Sequence, residues 1–309
     1  MRALRLTLPL LLVLGCPTEP DPEPVEPADP LTFAAEVSQS ELEGTIEDLV
    51  AFGTRHTETD GDEAARDYLV DRLEAYGFAP ELDPFSANGT PANNIIARVD
   101  GVEDPEVIYI FSAHYDSTST DWQTDAPGAD DNATGVAGVL EAARILQGER
   151  FAHSIWFVLT AAEEQGSLGS EHMAEWLDLE GYDVRGVIAP DMIGYWPLED
   201  DDLMDILGDH DSEHLVEHME GIADALGVAN KTWVEHALCY GDDHTNFQEQ
   251  GFPAISPMDC VEAHNFPASG EETPHYHRTS DTIDTLYMPF TTKVVGVIVA
   301  SLADLAAPR

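Results

Sequence analysis

The sequence is short of positive charge. Its 309 residues carry 13 Lys+Arg against 60 Asp+Glu, a formal net charge of −47. Nucleic-acid binding needs basic patches to neutralise phosphates, so that class is excluded, as is docking on anionic lipid through a polybasic face. Cysteine is scarce as well, with three residues, an odd number for an exported protein. The chain does not lack core material: 43% of it is apolar, and only 24% is charged, so it is not a disordered polyelectrolyte. The length suits one large domain or two ordinary ones, and there is no internal repeat. The acidity fits either a surface suited to high salt or a soluble extracellular surface.

Residues 1–16 read as an address. Arg2 and Arg5 precede an apolar run that is too short to span a bilayer and ends Val13-Leu14-Gly15-Cys16. That ending resembles a bacterial lipoprotein signal, in which the Cys is lipidated; the alternative is an ordinary signal peptide with an incidental Cys. Residues 17–34 begin PTEPDPEPVEPADP, an alternation of Pro and acid that predicts an extended, self-repelling tether. The folded domain is then residues 35–309. The implied localisation is export, as a membrane-anchored lipoprotein facing the periplasm or cell exterior. Lipidation of Cys16 leaves Cys239 and Cys260. In an oxidising compartment their pairing would stabilise by roughly 3 kcal/mol; two buried thiols are the alternative.

The folded part alternates helix and strand. Ser38-Gln39-Ser40-Glu41 has the form of a capping box opening a helix to about Phe52. Helical spacing predicts further helices over 62–76, 136–146, 171–179, 212–226 and 288–305. Short apolar runs predict strands over 94–99, 107–112, 154–160, 184–190, 203–207 and 252–257. The pattern is that of an α/β fold with a mostly parallel twisted central sheet and helices on both faces.

Ligands of such sheets bind beyond the carboxyl ends of the strands, and the chemistry-bearing residues cluster there. The run 107–111 leads into Ser112-Ala113-His114-Tyr115-Asp116, where His114 and Asp116 share one side of an extended backbone. A carboxylate beside a metal-binding His is a common support; a surface pair is the plainer reading. Pro127-Gly128-Ala129-Asp130-Asp131-Asn132-Ala133-Thr134-Gly135 places adjacent acids before a helix, where the helix dipole alone would favour them. The run 155–159 ends in Glu163-Glu164-Gln165-Gly166, two neighbouring carboxylates best tolerated when a cation takes one, or else a solvated turn. The strand ending at Pro190 delivers Asp191-Met192-Ile193-Gly194-Tyr195. A late loop holds His275-Tyr276-His277-Arg278-Thr279-Ser280-Asp281-Thr282.

Singly these motifs are weak. In this order, SAHYDS, PGADDNATG, TAAEEQGSLGS, APDMIGY and HRTSDT resemble the co-catalytic di-zinc aminopeptidases of the bacterial leucyl aminopeptidase family, over residues 40–307. The resemblance implies two zinc ions per chain, bridged by Asp131, with Glu164 and His277 completing one ligand set and His114 and Asp191 the other. It implies Glu163 as general base toward a water shared by the zincs, Asp116 orienting His114, and a cis peptide at Asp131-Asn132. The implied activity is removal of N-terminal residues from peptides by a monomeric enzyme. Its partners are peptides with free N-termini, and it meets a membrane only through the lipid anchor.

The same resemblance puts Met192, Cys239, Phe252 and Met258 near the side-chain pocket, which favours bulky apolar N-terminal residues; ordinary core is the alternative. It leaves Asp242-Asp243-His244 outside the metal set, and His264 reads as a loop residue. The fold is shared with single-zinc glutaminyl cyclases, which would use the counterparts of Asp131, Glu164 and His277. A carboxypeptidase is disfavoured by the scarcity of cations to hold a C-terminal carboxylate. A non-catalytic cation-binding lipoprotein has no need of Glu163.

Overall fold

The two most apolar runs of the middle of the chain become parallel neighbours. They are β3 (Asp104–His114) and β4 (His153–Thr160), with Ile110 opposite Trp156. The computed structural model describes residues 28–195, 203–234, 242–258 and 273–309. The other strands are β1 (Glu81–Ala87), β2 (Thr90–Val99), β5 (Asp183–Ile188), β6 (Met204–Gly208), β7 (Asn230–Val234) and β8 (Ala254–Met258). The helices are α1 (Pro30–Ala34), α2 (Gln39–Val50), α3 (Asp60–Ala75), α4 (Gly135–Leu146), α5 (Leu168–Glu180), α6 (Glu213–Leu226), α7 (Asp243–Glu249) and α8 (Met288–Ala306).

The sheet runs β1-β2-β4-β3-β5-β8-β6-β7. Its centre, β4-β3-β5-β8, is parallel, while β1-β2, β2-β4 and β6-β8 are antiparallel. Strand alternation sorts side chains onto two faces. Ile155, Phe157, Leu159, Phe111 and Ala113 join the core under α2, α3, α4, α6 and α8. Trp156, Val158, Ile108 and Ile110 join a second core under α5 and α7. Burying each such Val, Ile, Leu or Phe is worth about 1.5–3 kcal/mol. Helix α8 is long and apolar enough to cross a membrane, yet most of it lies buried inside the domain.

The capping box is half formed. Ser38 Oγ accepts the Glu41 N–H at 3.4 Å, but the Ser38 N–H goes to Glu141 Oε1 of α4 at 2.6 Å. This second bond ties α2 to the helix behind the site.

Two expectations need correction. Residues 30–34, assigned to the tether, form α1, whose Phe33 is buried with its ring 6.3 Å from that of Phe151. The strands β1 and β7 and the helix α7 went unpredicted. Strand β1 is largely exposed, which hides its alternation; its hairpin partner β2 follows a tight turn at Asn88-Gly89, both with positive φ. Cys16, Cys239, Cys260 and His264 lie outside the described residues.

Candidate metal centre

Three central strands deliver their following loops to one edge of the sheet. His114 is the last residue of β3; Glu163 and Glu164 follow β4, and Asp191 follows β5. Asp131 sits in an irregular turn, Ala129–Thr134, leading into α4, with φ −102° and ψ 92°. The Asp131-Asn132 peptide is cis. His277 comes from the loop before α8 and has positive φ, as do Ala162 and Met192 beside the glutamates and Asp191. Non-glycine residues in this region cost on the order of 1–3 kcal/mol each and concentrate at functional sites.

The side chains converge in two groups sharing Asp131. His114 Nε2 lies 3.4 Å from Asp131 Oδ1 and 3.5 Å from Asp191 Oδ1. His277 Nε2 lies 3.4 Å from Asp131 Oδ2 and 2.9 Å from Glu164 Oε2. Within each group the potential ligand atoms all lie within 4.8 Å of one another. The expected five residues are thus brought together, with each Asp131 oxygen facing a different histidine.

Their polar atoms fit a cation. His114 Nε2, Asp191 Oδ1 and both carboxylate oxygens of Glu164 are buried without hydrogen-bond partners. Buried polar atoms are rarely left so. The electrostatics agree. Burial and neighbouring negative charge push Glu164 up to about 8. Burial, against the pull of His114, pushes Asp191 up to about 7. Asp131 resists burial and is held below the usual carboxylate range by His114 and His277. Burial lowers His277, but the close carboxylates of Asp131 and Glu164 outweigh it and lift it to about 10. Three mixed N and O donors per group, with a carboxylate common to both, suit a pair of zinc, cobalt or manganese ions with positions left open.

Glu163 belongs to neither group. Its Oε1 accepts the Ser167 hydroxyl at 2.8 Å. Burial raises its pKa well above the carboxylate range, opposed by His114 and reinforced by Glu164, Asp243 and Asp191. Asp116 lies between His114 and the two glutamates. Its Oδ1 is 3.6 Å from His114 Nδ1, while its two oxygens accept the backbone N–H groups of Glu163 at 3.0 Å and Glu164 at 3.2 Å. The nearer partner of His114 Nδ1 is the Asp116 carbonyl oxygen, at 3.3 Å. The Asn132 side chain donates to Pro190 O and accepts the Gly135 N–H.

Met192 and Met258 meet with Leu207 in a small apolar cluster lined by Trp233 and Tyr276. Phe252 does not join it; it packs on the second core, the ordinary-core alternative for that residue. His244 pairs with Asp242 at 3.1 Å, Asp242 accepts from Ser256 at 2.8 Å, and Asp243 accepts from Thr160 at 2.6 Å. Among the described residues, none of the three joins a candidate metal group.

Sequence reasoning missed two supporting residues. Asp281 accepts the backbone N–H groups of Asp130 and Asp131, and its place in the HRTSDT motif was the available signal. Arg55 is wholly buried behind the site and lies in a stretch with no periodic pattern to announce it.

The model of the Peptidase family M28 matches residues 94–303. A "Probable zinc metalloprotease" of Pyrenophora teres f. teres is 29% identical over 92% of this chain and 70% of its own length. The Legionella pneumophila LapA aminopeptidase superposes with a TM-score of 0.74 at 22% identity, covering 90% of this chain and 74% of that one. The Fimbriiglobus ruber glutaminyl cyclase does so with 0.72 at 20% identity, covering 93% and 99%. These two structures establish the shared fold.

Proposed function

Because the chain belongs to peptidase family M28, we propose that it is a zinc-dependent aminopeptidase that removes N-terminal residues from peptides. One observation carries the reading: Asp131 is shared by two ligand groups while Glu163, beside them, enters neither. His114, Asp131 and Asp191 would hold one zinc, and Asp131, Glu164 and His277 the other. Zinc ions so held supply a water ionised near neutral pH and a Lewis acid for the scissile carbonyl.

The chain's own residues do the rest. Glu163 accepts the proton of the attacking water and passes it to the leaving amine; burial and like charge raise its proton affinity, the direction a general base needs. Asp116 holds the backbone of Glu163 and Glu164 in register, so base and ligand move as one unit. The acidic surroundings favour a substrate whose N-terminus is cationic, a preference that salt weakens. Trp233 and Tyr276, half-buried against the buried cluster of Met192, Leu207 and Met258, offer an apolar surface to a bulky N-terminal side chain. Arg55 cannot serve a substrate carboxylate, because its guanidinium is committed to backbone carbonyls. We further propose that the enzyme is monomeric, exported and lipid-anchored at Cys16, with the acidic stretch after it as spacer.

Zinc analysis of the purified chain, paired with incubation on an N-terminal glutaminyl peptide, tests this. Two zincs per chain and release of free glutamine are expected. One zinc and cyclisation with ammonia release would make it a glutaminyl cyclase instead.

A further inference from the structure

Behind Asp131 lies a layer of paired charge that no ligand role uses. Arg55, with 0% exposure, donates Nε–H to Tyr115 O at 2.8 Å, Nη1–H to Pro127 O at 2.6 Å and Nη2–H to Gly128 O at 2.9 Å. Asp281, with 3% exposure, accepts the N–H of Asp130 at 2.9 Å and of Asp131 at 3.1 Å, and its carbonyl accepts the Ala129 N–H at 3.2 Å. The segment 127–131 therefore has the carbonyls of Pro127 and Gly128 held by a buried guanidinium, and the amides of Ala129, Asp130 and Asp131 held by a buried aspartate. Each holder also reaches one ligand histidine's loop. Tyr115 lies between His114 and Asp116, and Asp281 donates its N–H to Arg278 O, next to His277.

Burying a guanidinium away from carboxylate contact is costly and needs a return. Burial pulls Arg55 down to about 10, opposed chiefly by Asp281, so it stays charged at neutral pH. Its planar fork fixes carbonyls from two loops at a set separation, which a lysine's single ammonium cannot do. The space is also fully used: a Cβ on Gly128 would stand 2.9 Å from Arg55 Nη2 and collide with Asp131 O.

We propose that Arg55 and Asp281 are positioning residues that clamp the segment carrying Asp131, one through its carbonyls and the other through its amides, so that each Asp131 oxygen faces its own metal position. The proposal rests on the two-zinc reading. Supporting residues of this kind typically change metal affinity by about 10–100-fold when altered. A role in fold stability alone would lower the melting temperature and leave zinc uptake by the folded protein unchanged.

The test uses the full chain as Arg55→Lys and as Asp281→Asn. Each is stripped with chelator and titrated with zinc in a competing chelator, with folding followed by circular dichroism and kcat and KM measured on an aminoacyl amide. Arg55→Lys keeps the charge and loses the fork; Asp281→Asn keeps the shape and loses one acceptor. The wild type should take up two zincs. Each folded variant should lose at least about tenfold in affinity for one of them, with kcat falling and KM within about threefold. Folded variants that take up both zincs as the wild type does would overturn the clamp. If Arg55→Lys does not fold, Asp281→Asn decides alone. A wild type that takes up fewer than two zincs would overturn the two-zinc reading, and the clamp with it.

Discussion

His277 Nε2 stands 2.9 Å from Glu164 Oε2, and the pair holds protons that a metal must displace. Asp131 and Glu164 lift His277 to about 10, and burial and like charge push Glu164 up to about 8, so without metal the pair holds at least one proton at pH 7. Zinc needs the deprotonated forms, so uptake at pH 7 should release protons, and zinc affinity should fall as pH falls. Each proton released makes the fall about tenfold per pH unit. Calorimetric titrations in buffers of different ionisation enthalpy measure the count. Uptake that releases no proton and is flat from about pH 8 to pH 6 would contradict the assignment of these two residues.

Glu163→Gln removes the proton acceptor and leaves the ligands in place. Its kcat should drop by about 10²–10⁴ while zinc content stays at the wild-type level. Metal analysis alongside steady-state kinetics separates this from a ligand loss. A variant that keeps wild-type kcat would remove Glu163 from the chemistry.

Gly128→Ala should be disproportionately damaging for so small a change. The residue has φ 53° and its added Cβ would meet Asp131 O and Arg55 Nη2. The strained backbone alone costs about 1–3 kcal/mol. Thermal unfolding should register that loss, and zinc uptake should weaken with it. An unchanged melting temperature would show that the turn at 127–131 yields more easily than its contacts suggest.

The charge of −47 should make stability depend on salt. Surface carboxylates with few cations to offset them repel, and raising ionic strength from about 0.1 M to 1 M shortens the screening length from about 10 Å to 3 Å. The melting temperature should therefore rise with sodium chloride, while KM for a cationic substrate should rise too. A melting temperature that falls with salt would mean that the few ion pairs, such as Arg309–Glu103, outweigh the repulsion.

What the sequence could reveal followed from how each signal arises. Strands β3 and β4 are buried on both faces, so they read as unbroken apolar runs, and the residues just past their ends, His114 and Glu163-Glu164, stood out against them. The five residues that converge in the two candidate metal groups were legible through the order of motifs. Strands β1 and β7 were not, because exposed or half-exposed strands carry no apolar run. Phe252 stayed open between pocket and core because an aromatic near a turn reads alike in either; it lies on the second core. Arg55 was invisible because its partners are backbone carbonyls far along the chain, and no side-chain pattern records them.

The measurement closest to the central claim is hydrolysis of a panel of aminoacyl chromogenic amides by the purified chain, with free and N-acetylated termini, before and after chelation and zinc return. The account predicts release from free termini only, strongest for bulky apolar residues, abolished by chelator and restored by zinc. Release that survives full chelation, or that favours acetylated termini, would contradict it.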